Sequence, residues 1–257
     1  MQLFKNLYNY RELLKSNVKK EVRGRYKGSF LGILWSFVNP LLQVLVYAIV
    51  FPYIMRVKTD NYLQYLIVGI IPWNFFVTVL NQGMITVRMN AGVIKKVYFP
   101  REILPISVAL SGLVNFFISC IIILIFCVFG GLGISWHIIL LPVVALIQFI
   151  LSLGLILALS AMNIYVKDTE YIVQFITNMV FYVTPILYTI TLFPEKLRWL
   201  LYINPMTELL EFYRDIFMYH QLPSLASILY LVGISLCIFF IGLAIFRKLE
   251  KGFAEEV

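Results

Sequence analysis

Long apolar runs alternate with short polar segments along this chain, and their lengths predict membrane-spanning helices. Six runs reach the length of about 20 residues that a helix needs to cross a hydrocarbon core of roughly 30 Å. They cover residues 33–55, 62–87, 103–129, 138–166, 171–190 and 225–246. A helix satisfies all its backbone hydrogen bonds internally, as lipid requires. The pattern therefore predicts an all-α, polytopic membrane protein, with six transmembrane helices in a single transmembrane domain of residues 1–257.

Residues 1–29, before the first run, carry apolar positions at helical spacing with basic residues on much of the remaining surface. The apolar positions are Leu3, Phe4, Leu7, Leu14 and Val18. This pattern predicts an amphipathic interface helix that lies along the membrane surface. Two roles stay open: the helix can anchor the chain to the membrane, or it can form a collar that seats a cytoplasmic partner.

Residues 88–102, between the second and third runs, have the pattern of a short helix in a basic loop. Asn90 can cap the start of this helix and Pro100 can end it. The helix would place four residues on one apolar face beside Lys95 and Lys96, and these are Val93, Ile94, Val97 and Tyr98. Such a face suits a groove on another protein. The alternative is an ordinary basic loop that only fixes the membrane topology.

Residues 191–222 form a segment longer than a simple turn between the last two runs. Two helix starts occur in it, at the dipeptides Pro194-Glu195 and Asn204-Pro205. We expect two short helices at the outer membrane surface. They can form an outer gate, or they can merely cap the bundle.

Composition and charge agree with this topology. The chain has 257 residues, of which 61% are hydrophobic and 13% charged. If the N-terminus is cytoplasmic, 16 of the 21 Lys and Arg residues lie in inner segments, so the positive-inside rule places both termini in the cytoplasm. The net charge of +8 then faces anionic lipid or an acidic partner, and nucleic acid is not needed to explain it.

Several kinds of chemistry have no residues to support them. No GxxxxGK[ST] loop occurs, so the chain is not expected to bind ATP phosphates itself. The six apolar runs contain no Asp, Glu, Lys or Arg, which disfavours proton coupling. His137 and His220 are far apart in sequence, and the three cysteines lack metal-ligand spacing. We therefore predict no catalytic residue, no metal site and no cofactor in this chain.

Neutral polar residues do occur within the runs. They are Gln43, Asn74, Asn81, Gln82, Asn115, Gln148, Asn163, Gln174 and Asn178. Most should form interhelical hydrogen bonds, because an unpaired amide in hydrocarbon costs several kcal/mol, and a minority can face a pore. Pro185, within the fifth run, predicts a kink in that helix.

Aromatic residues make up 16% of the chain and suggest a path for sugars. Tyr and Trp at helix ends are explained by the aromatic belts of membrane proteins. Aromatic faces also stack on sugar rings, however, and six residues of the first and fifth runs and their approaches are candidates for a glycan path. These are Phe30, Trp35, Tyr47, Phe181, Tyr182 and Tyr188.

Three motifs carry a resemblance to a known family. They are residues 23–35 (RGRYKGSFLGILW) followed by Asn39-Pro40, residues 94–105 (IKKVYFPREILP) and residues 202–206 (YINPM). With them, essentially the whole chain resembles the membrane subunits of type 2 ABC exporters that move surface polysaccharides, the O-antigen, capsule and teichoic acid permeases.

This resemblance implies a homodimer in the cytoplasmic membrane, in contact with two copies of a nucleotide-binding ATPase subunit that carry the ATP and Mg. Residues 194–219 would be outer gate helices, and the segment from 90 to 101 would be the coupling helix. Its contact residues would be Asn90, Val93, Ile94, Lys95, Lys96, Val97, Tyr98, Phe99 and Arg101. The cargo would be a polyprenyl-diphosphate-linked glycan whose pyrophosphate meets Arg23, Arg25 and Lys27.

Other functions compete with this one. A permease of the same fold can export drugs or small lipids, and we expect it to depend less on aromatic residues. A polyprenyl-phosphate glycan-transfer enzyme commonly needs carboxylates for metal or base roles, and the Asp and Glu residues on the cytoplasmic side here are scattered. A non-catalytic scaffold is the third alternative.

Overall fold

The computed structural model describes residues 2–24, 27–55 and 61–256. Every regular element in these residues is helical, which confirms the all-α prediction. The α-helices are α1 (Gln2–Asn9), α2 (Arg11–Gly24), α3 (Trp35–Met55), α4 (Tyr62–Met89), α5 (Ala91–Ile94), α6 (Ile103–Phe129), α7 (Leu141–Tyr165), α8 (Thr169–Val183), α9 (Arg198–Ile203), α10 (Pro205–Arg214), α11 (Leu225–Leu249) and α12 (Phe253–Glu256). Short 3-10 turns precede α3, α7 and α9, and a π-helical turn, Asp215–Tyr219, follows α10.

Five helices in the described part of the chain are long and apolar enough to cross a membrane. They are α3, α4, α6, α7 with the turn before it, and α11, so the chain is a multi-pass membrane protein. Helix α4 is the centre of the bundle and packs against α3, α6, α7, α8 and α10. Its run of buried residues, from Gln64 to Trp73, has no face left for lipid.

The fifth apolar run does not form the predicted helix of residues 171–190. Helix α8 ends at Val183 after 15 residues, and Thr184 has an extended backbone with ψ 136°. The physical reason is Pro185, which disfavours helical geometry at the residue before it and cannot donate a backbone hydrogen bond. The prediction of a kink within a continuing helix was therefore wrong, because the helix stops. Ile186 and Leu187 beyond the break are nonetheless buried within the bundle.

Two glycines bring α7 and α11 into close contact. A Cβ added at Gly154 would lie 2.6 Å from the backbone N and Cα of Phe239, and one added at Gly242 would overlap the carbonyl of Gly154. Small residues allow this approach, which membrane helices use because lipid gives them little hydrophobic drive to associate.

The segments that contain the termini gather at one end of the bundle, named here the termini end. Asn6 donates a hydrogen bond to Glu102 at 3.1 Å, and α2 packs against α6. Tyr165 donates to the carbonyl of Leu249 at 2.8 Å, which brings α11 to the same end. Residues 1–29 do not form one helix as predicted, because α1 and α2 meet at Tyr10 and α2 ends at Gly24.

The opposite end of the bundle holds residues 190–219. A 3-10 turn begins at Glu195 and leads into α9, and α10 begins at Pro205. The Asn204 side chain accepts a hydrogen bond from the amide of Met206 at 3.0 Å and donates one to Thr184 Oγ1 at 2.8 Å. It therefore caps α10 and ties this helix to the break after α8.

Candidate translocation cleft and docking segment

A polar cleft lies between α3, α4 and α6. Its volume is about 590 Å³. The residues that line it are Ser29, Trp35, Ser36, Asn39, Pro40, Gln43, Ile71, Asn74, Phe75, Thr78, Gln82, Gly112, Asn115, Phe116 and Ser119. Four of the amides identified within the apolar runs thus meet around one space.

Hydrogen bonds between side chains hold the walls of the cleft. Asn74 on α4 donates to Gln43 Oε1 on α3 at 3.0 Å, and Ser36 donates to Asn115 Oδ1 on α6 at 2.7 Å. Trp35 donates from Nε1 to Ser29 Oγ at 2.9 Å. The prediction that these amides form interhelical bonds is confirmed for Gln43, Asn74 and Asn115, and the bonds stand at the edge of a cavity.

The six aromatic residues predicted for a glycan path do not form one surface. Trp35 lines the polar cleft and Phe30 is fully exposed. Tyr188 lies beyond the break in α8, where its ring stacks on Phe193.

The other three meet in an aromatic cluster between α3, α4 and α8. The ring centroids of Tyr47 and Phe181 are 6.0 Å apart. The ring centroid of Phe181 is also 5.7 Å from that of Trp73, a contact that the sequence pattern did not predict. Tyr182 contacts Phe181 edge to face at 5.3 Å and is exposed on the bundle surface.

Of the basic residues predicted to meet a pyrophosphate, Arg23 lies in the last turn of α2 and Lys27 follows that helix. Arg23 and Lys27 have exposed side chains. Arg25 lies outside the described residues. The structure thus leaves two exposed cations on the approach to α3.

The predicted coupling helix is much shorter than expected. Only Ala91–Ile94 is helical, and an irregular segment leads from there to Pro100. Asn90 does not cap this helix through its side chain. It donates instead to the carbonyl of Thr86 at 2.7 Å and so closes the C-terminus of α4.

The apolar residues of this segment divide between two sides. Ile94 and Phe99 are buried against the bundle, so the predicted single apolar face does not exist. Val93, Val97 and Tyr98 are exposed, and Tyr98 is 92% exposed. Together with Lys95 and Lys96 they form an exposed basic strip, named here the docking segment after its predicted role. A hollow of about 300 Å³ is lined by residues 94–99 and Arg101.

Polar contacts of Arg88 and Arg101, which flank the docking segment, join this part of the chain to other helices. Arg88, at the end of α4, pairs with Glu170 at the start of α8, and Asn163 of α7 also donates to Glu170 at 3.2 Å. Arg101 donates to the carbonyl of Glu250 and lies over the ring of Phe253, which is completely buried. The residues that flank the docking segment are therefore fixed to the start of α8 on one side, and to α12 and the turn before it on the other.

A buried arginine lies at the opposite end. Arg214 of α10 has no exposed surface. It donates to Glu211 at 2.5 Å and to the carbonyl of Pro185 at 2.6 Å, and its guanidinium lies 3.6 Å from the centre of the Tyr65 ring. Gly69 leaves room for it, since a Cβ there would lie 3.2 Å from Arg214 Nη2.

Tyrosines of α4 support the same break in α8. Tyr65 donates to the carbonyl of Tyr188 and Tyr62 to that of Leu187, each at 2.8 Å. The carbonyls of the irregular segment after α8 thus find donors inside the bundle. Beside them, burial raises the pKa of Asp215, while its hydrogen bond from Gln221 acts in the opposite direction.

Sequence reasoning assigned Arg214 to an outer segment and did not identify its burial. Its partner Glu211 is 3 residues away along the sequence, but its partner Pro185 is 29 residues away and Tyr65 is further still. The signal available was its position at helical spacing on the largely apolar α10. His137 and His220, far apart in sequence, also come together here, with ring centroids 6.5 Å apart.

Comparisons with known proteins agree with this architecture. The profile of the ABC-2 type transporter family matches residues 12–218. An O-antigen export system permease protein RfbA of Myxococcus xanthus is 37% identical over the whole of both chains. A protein of the same name from Klebsiella pneumoniae is 36% identical over 95% of this chain and 94% of its own. The polysialic acid transport protein KpsM of Escherichia coli is 24% identical over 90% of this chain and 91% of its own.

The family profile spans most of the chain, and the RfbA proteins align with nearly all of it. The matched residues of this chain include the helical bundle, the polar cleft and the docking segment. The chain therefore belongs to the ABC-2 type transporter family.

Proposed function

We propose that this chain is the transmembrane subunit of an ATP-driven exporter of a polysaccharide linked to a polyprenyl diphosphate. The observation that carries the proposal is the full-length similarity to proteins named O-antigen export permeases, at 36–37% identity. The polar cleft supports it, because neutral amides can form hydrogen bonds with sugar hydroxyls, whereas an apolar drug or a small lipid offers few groups for such bonds.

In this proposal the chain acts as a homodimer in the cytoplasmic membrane, with both termini in the cytoplasm. Helix α8 and the residues after the break at Pro185 would together form a sixth membrane-crossing segment. Arg23 and Lys27 would meet the pyrophosphate of the cargo as it approaches α3. The aromatic cluster of Tyr47, Phe181 and Tyr182 would contact its sugar rings. Helices α9 and α10 would close the outer side as a gate.

ATP hydrolysis belongs to two copies of a separate subunit, because this chain has no phosphate-binding loop. Family membership implies such an ATPase partner. When the ATPase subunit moves during hydrolysis, it would push on the docking segment. A push on Ile94 would reach α4 directly, and the pair of Arg88 with Glu170 would carry it to α8.

Reconstitution tests the function. The chain and the ATPase subunit that co-purifies with it are placed in vesicles, with a radiolabelled lipid-linked glycan in the leaflet that faces the ATPase. We expect ATP-dependent movement of the glycan to the other leaflet that stops when either protein is omitted. Movement of a fluorescent phospholipid but not of the glycan would favour the small-lipid exporter instead, and glycan cleavage without movement would favour a transfer enzyme.

The docking segment gives a second prediction. Reversing its two charges with Lys95→Glu and Lys96→Glu should slow association with the ATPase, most strongly at low salt, because exposed charges mainly steer encounter. Tyr98→Ala should weaken the complex roughly tenfold, since an exposed tyrosine that becomes buried at an interface is a typical hot spot. Surface plasmon resonance at two salt concentrations measures both effects.

The matched control for this prediction reverses Lys248 and Lys251, which lie at the same end of the bundle and change the charge equally. These variants should bind the ATPase almost as the natural chain does. Equal losses in the two pairs would mean that only net charge matters, and the docking assignment would be wrong.

A further inference from the structure

The last described residues of the chain turn back beside the docking segment. Helix α11 ends at Leu249, the 3-10 turn Glu250–Gly252 follows, and α12 begins at Phe253. We propose that α12 positions the docking segment and carries its displacement to α11 and α7. The inference rests on the proposed docking of an ATPase subunit. It assigns a positioning role to Phe253, which has no exposed surface through which it could contact that subunit.

Phe253 anchors α12 to the bundle. Its side chain is completely buried, as is that of Phe246 near the end of α11. The two ring centroids are 5.5 Å apart and the rings meet edge to face, an arrangement that adds to the stabilisation from burial alone. A helix as short as α12, with 4 residues, is not stable by itself in water, because the first turn of a helix costs more conformational entropy than its hydrogen bonds recover. The burial of Phe253 therefore holds α12 in place.

The turn before α12 lies against α7. Tyr165, the last residue of α7, donates from its hydroxyl to the carbonyl of Leu249 at 2.8 Å. A Cβ added at Gly252 would lie 2.4 Å from the same hydroxyl oxygen, which shows how closely the turn approaches Tyr165. Helix α12 itself also packs against α7. Phe253 and this turn therefore connect α12 to two long helices, α7 and α11.

Arg101 connects α12 to the docking segment. It donates to the carbonyl of Glu250, and its guanidinium carbon lies 5.7 Å from the centre of the Phe253 ring, within the range of a cation–π contact. Only two residues separate Arg101 from Tyr98 of the docking segment, and one of them, Phe99, is buried. A displacement of the docking segment must therefore move α12 or break the contact between α12 and Arg101.

The two flanks of the docking segment lead to different helices. On the α4 side, Arg88 pairs with Glu170 at the start of α8. On the other side, Arg101 contacts α12, which is joined to α11, and α11 packs along α7. Gly154 and Gly242 allow the backbones of these last two helices to meet. Because packed side chains and rigid helices can carry coupling between distant sites, α12 gives the docking segment a second route into the bundle, separate from the route through α8.

Hydrogen exchange of the chain alone in nanodiscs tests the positioning role without an ATPase or a cargo. The backbone amides of residues 95–97 donate to the carbonyls of residues 91 and 93, so their exchange reports on the order of the docking segment. Phe253→Ala should speed this exchange about tenfold, because Arg101 loses the surface that supports it. Phe240→Ala is the matched control, since Phe240 is an exposed phenylalanine of α11, and it should leave the exchange unchanged.

A second variant guards against a general loss of structure. A stop codon after Gly252 removes α12 and leaves α11 and the turn after it complete. It should speed exchange at residues 95–97 as Phe253→Ala does, while exchange at residues 184–188, at the opposite end of the bundle, stays unchanged in both variants. Unchanged exchange at residues 95–97 in both variants would overturn the proposal. Equal acceleration at the two ends would also overturn it, because Phe253 would then only stabilise the fold.

Export efficiency separates positioning from docking. In vesicles with the ATPase subunit, Phe253→Ala should bind that subunit within about twofold of the natural affinity, because the docking segment stays ordered most of the time and its exposed residues are unchanged. The amount of glycan moved for each ATP hydrolysed should fall several-fold, since displacement of the docking segment no longer reaches α11. Phe253→Leu keeps most of the buried apolar volume and should restore most of this ratio.

The two measurements bear on different claims. A natural ratio of glycan to ATP in Phe253→Ala, from a complex whose natural form exports, would overturn the transmission of movement through α12. No export by the natural complex would instead refute the proposed function. The exchange measurement needs neither the ATPase nor the glycan, so it still decides whether α12 positions the docking segment.

Discussion

Alanine at Gly154 or Gly242 should be among the most damaging small substitutions in this chain. The added methyl group meets backbone rather than a movable side chain: Phe239 N and Cα at 2.6 Å in one case, the Gly154 carbonyl in the other. Helices α7 and α11 would have to separate along their length. Overpacking typically costs about 1–3 kcal/mol, and we expect the upper part of that range, a fall in Tm of roughly 4–12 °C. Thermal unfolding in nanodiscs, followed by tryptophan fluorescence, measures it.

The same helix offers a matched control. Gly233 of α11 has nothing within 4 Å of an added Cβ. Gly233→Ala should therefore leave Tm unchanged or raise it slightly, because alanine favours a helix by about 0.5–1 kcal/mol relative to glycine. If all three alanine variants behaved alike, the close approach of α7 and α11 would not be a source of stability.

Most helix boundaries could be predicted from the sequence. A helix surrounded by lipid must be apolar over the length that crosses the membrane, so an apolar run nearly coincides with a membrane-spanning helix. The run 103–129 coincides with α6, and the run 225–246 differs from α11 only at its C-terminal end. The fifth run failed for a specific reason. Ile186 and Leu187 are as apolar as a membrane helix requires, but they are buried by the protein after Pro185 has ended α8. Hydropathy reports burial and does not distinguish lipid from a neighbouring helix.

The candidate site could be predicted only in part. Asn74 and Gln43 were visible as amides within apolar runs, and the spacing of a helix gives the face on which each lies. It does not give the helix that this face meets. For the same reason, the spacing of Val93, Ile94 and Val97 predicted one apolar face, whereas the structure turns Ile94 inward and leaves the others exposed. Such choices depend on contacts between residues distant in sequence.

Replacement of Arg214 should have the largest effect of any single charge. Arg214→Met keeps the length of the side chain but leaves Glu211 without its ion pair. It also removes the closer donor to the carbonyl of Pro185, at 2.6 Å, so that only the Tyr65 hydroxyl, at 3.3 Å, remains. Breaking a buried ion pair from one side typically costs about 3–5 kcal/mol, and we expect the lower end because the Glu211 side chain is 26% exposed. Because the same guanidinium joins α10 to the break after α8, we also expect residues 184–188 to loosen. Hydrogen exchange of their backbone amides, together with Tm, measures both effects.

Arg198 is the natural comparison, since it lies in the same part of the chain and pairs with Glu195 at 3.7 Å while a third of its side chain is exposed. Arg198→Met should cost under about 1 kcal/mol, because solvent screens such pairs. The double variant Arg214→Met with Glu211→Gln should recover part of the loss, since no unpaired carboxylate remains. Recovery should be incomplete, because the Pro185 carbonyl still lacks its closer donor and keeps only Tyr65 at 3.3 Å. Full recovery would mean that the charge of Glu211 alone explains the effect. Arg214 would then stabilise α10 without holding the end of α8, and the exchange at residues 184–188 would be unchanged.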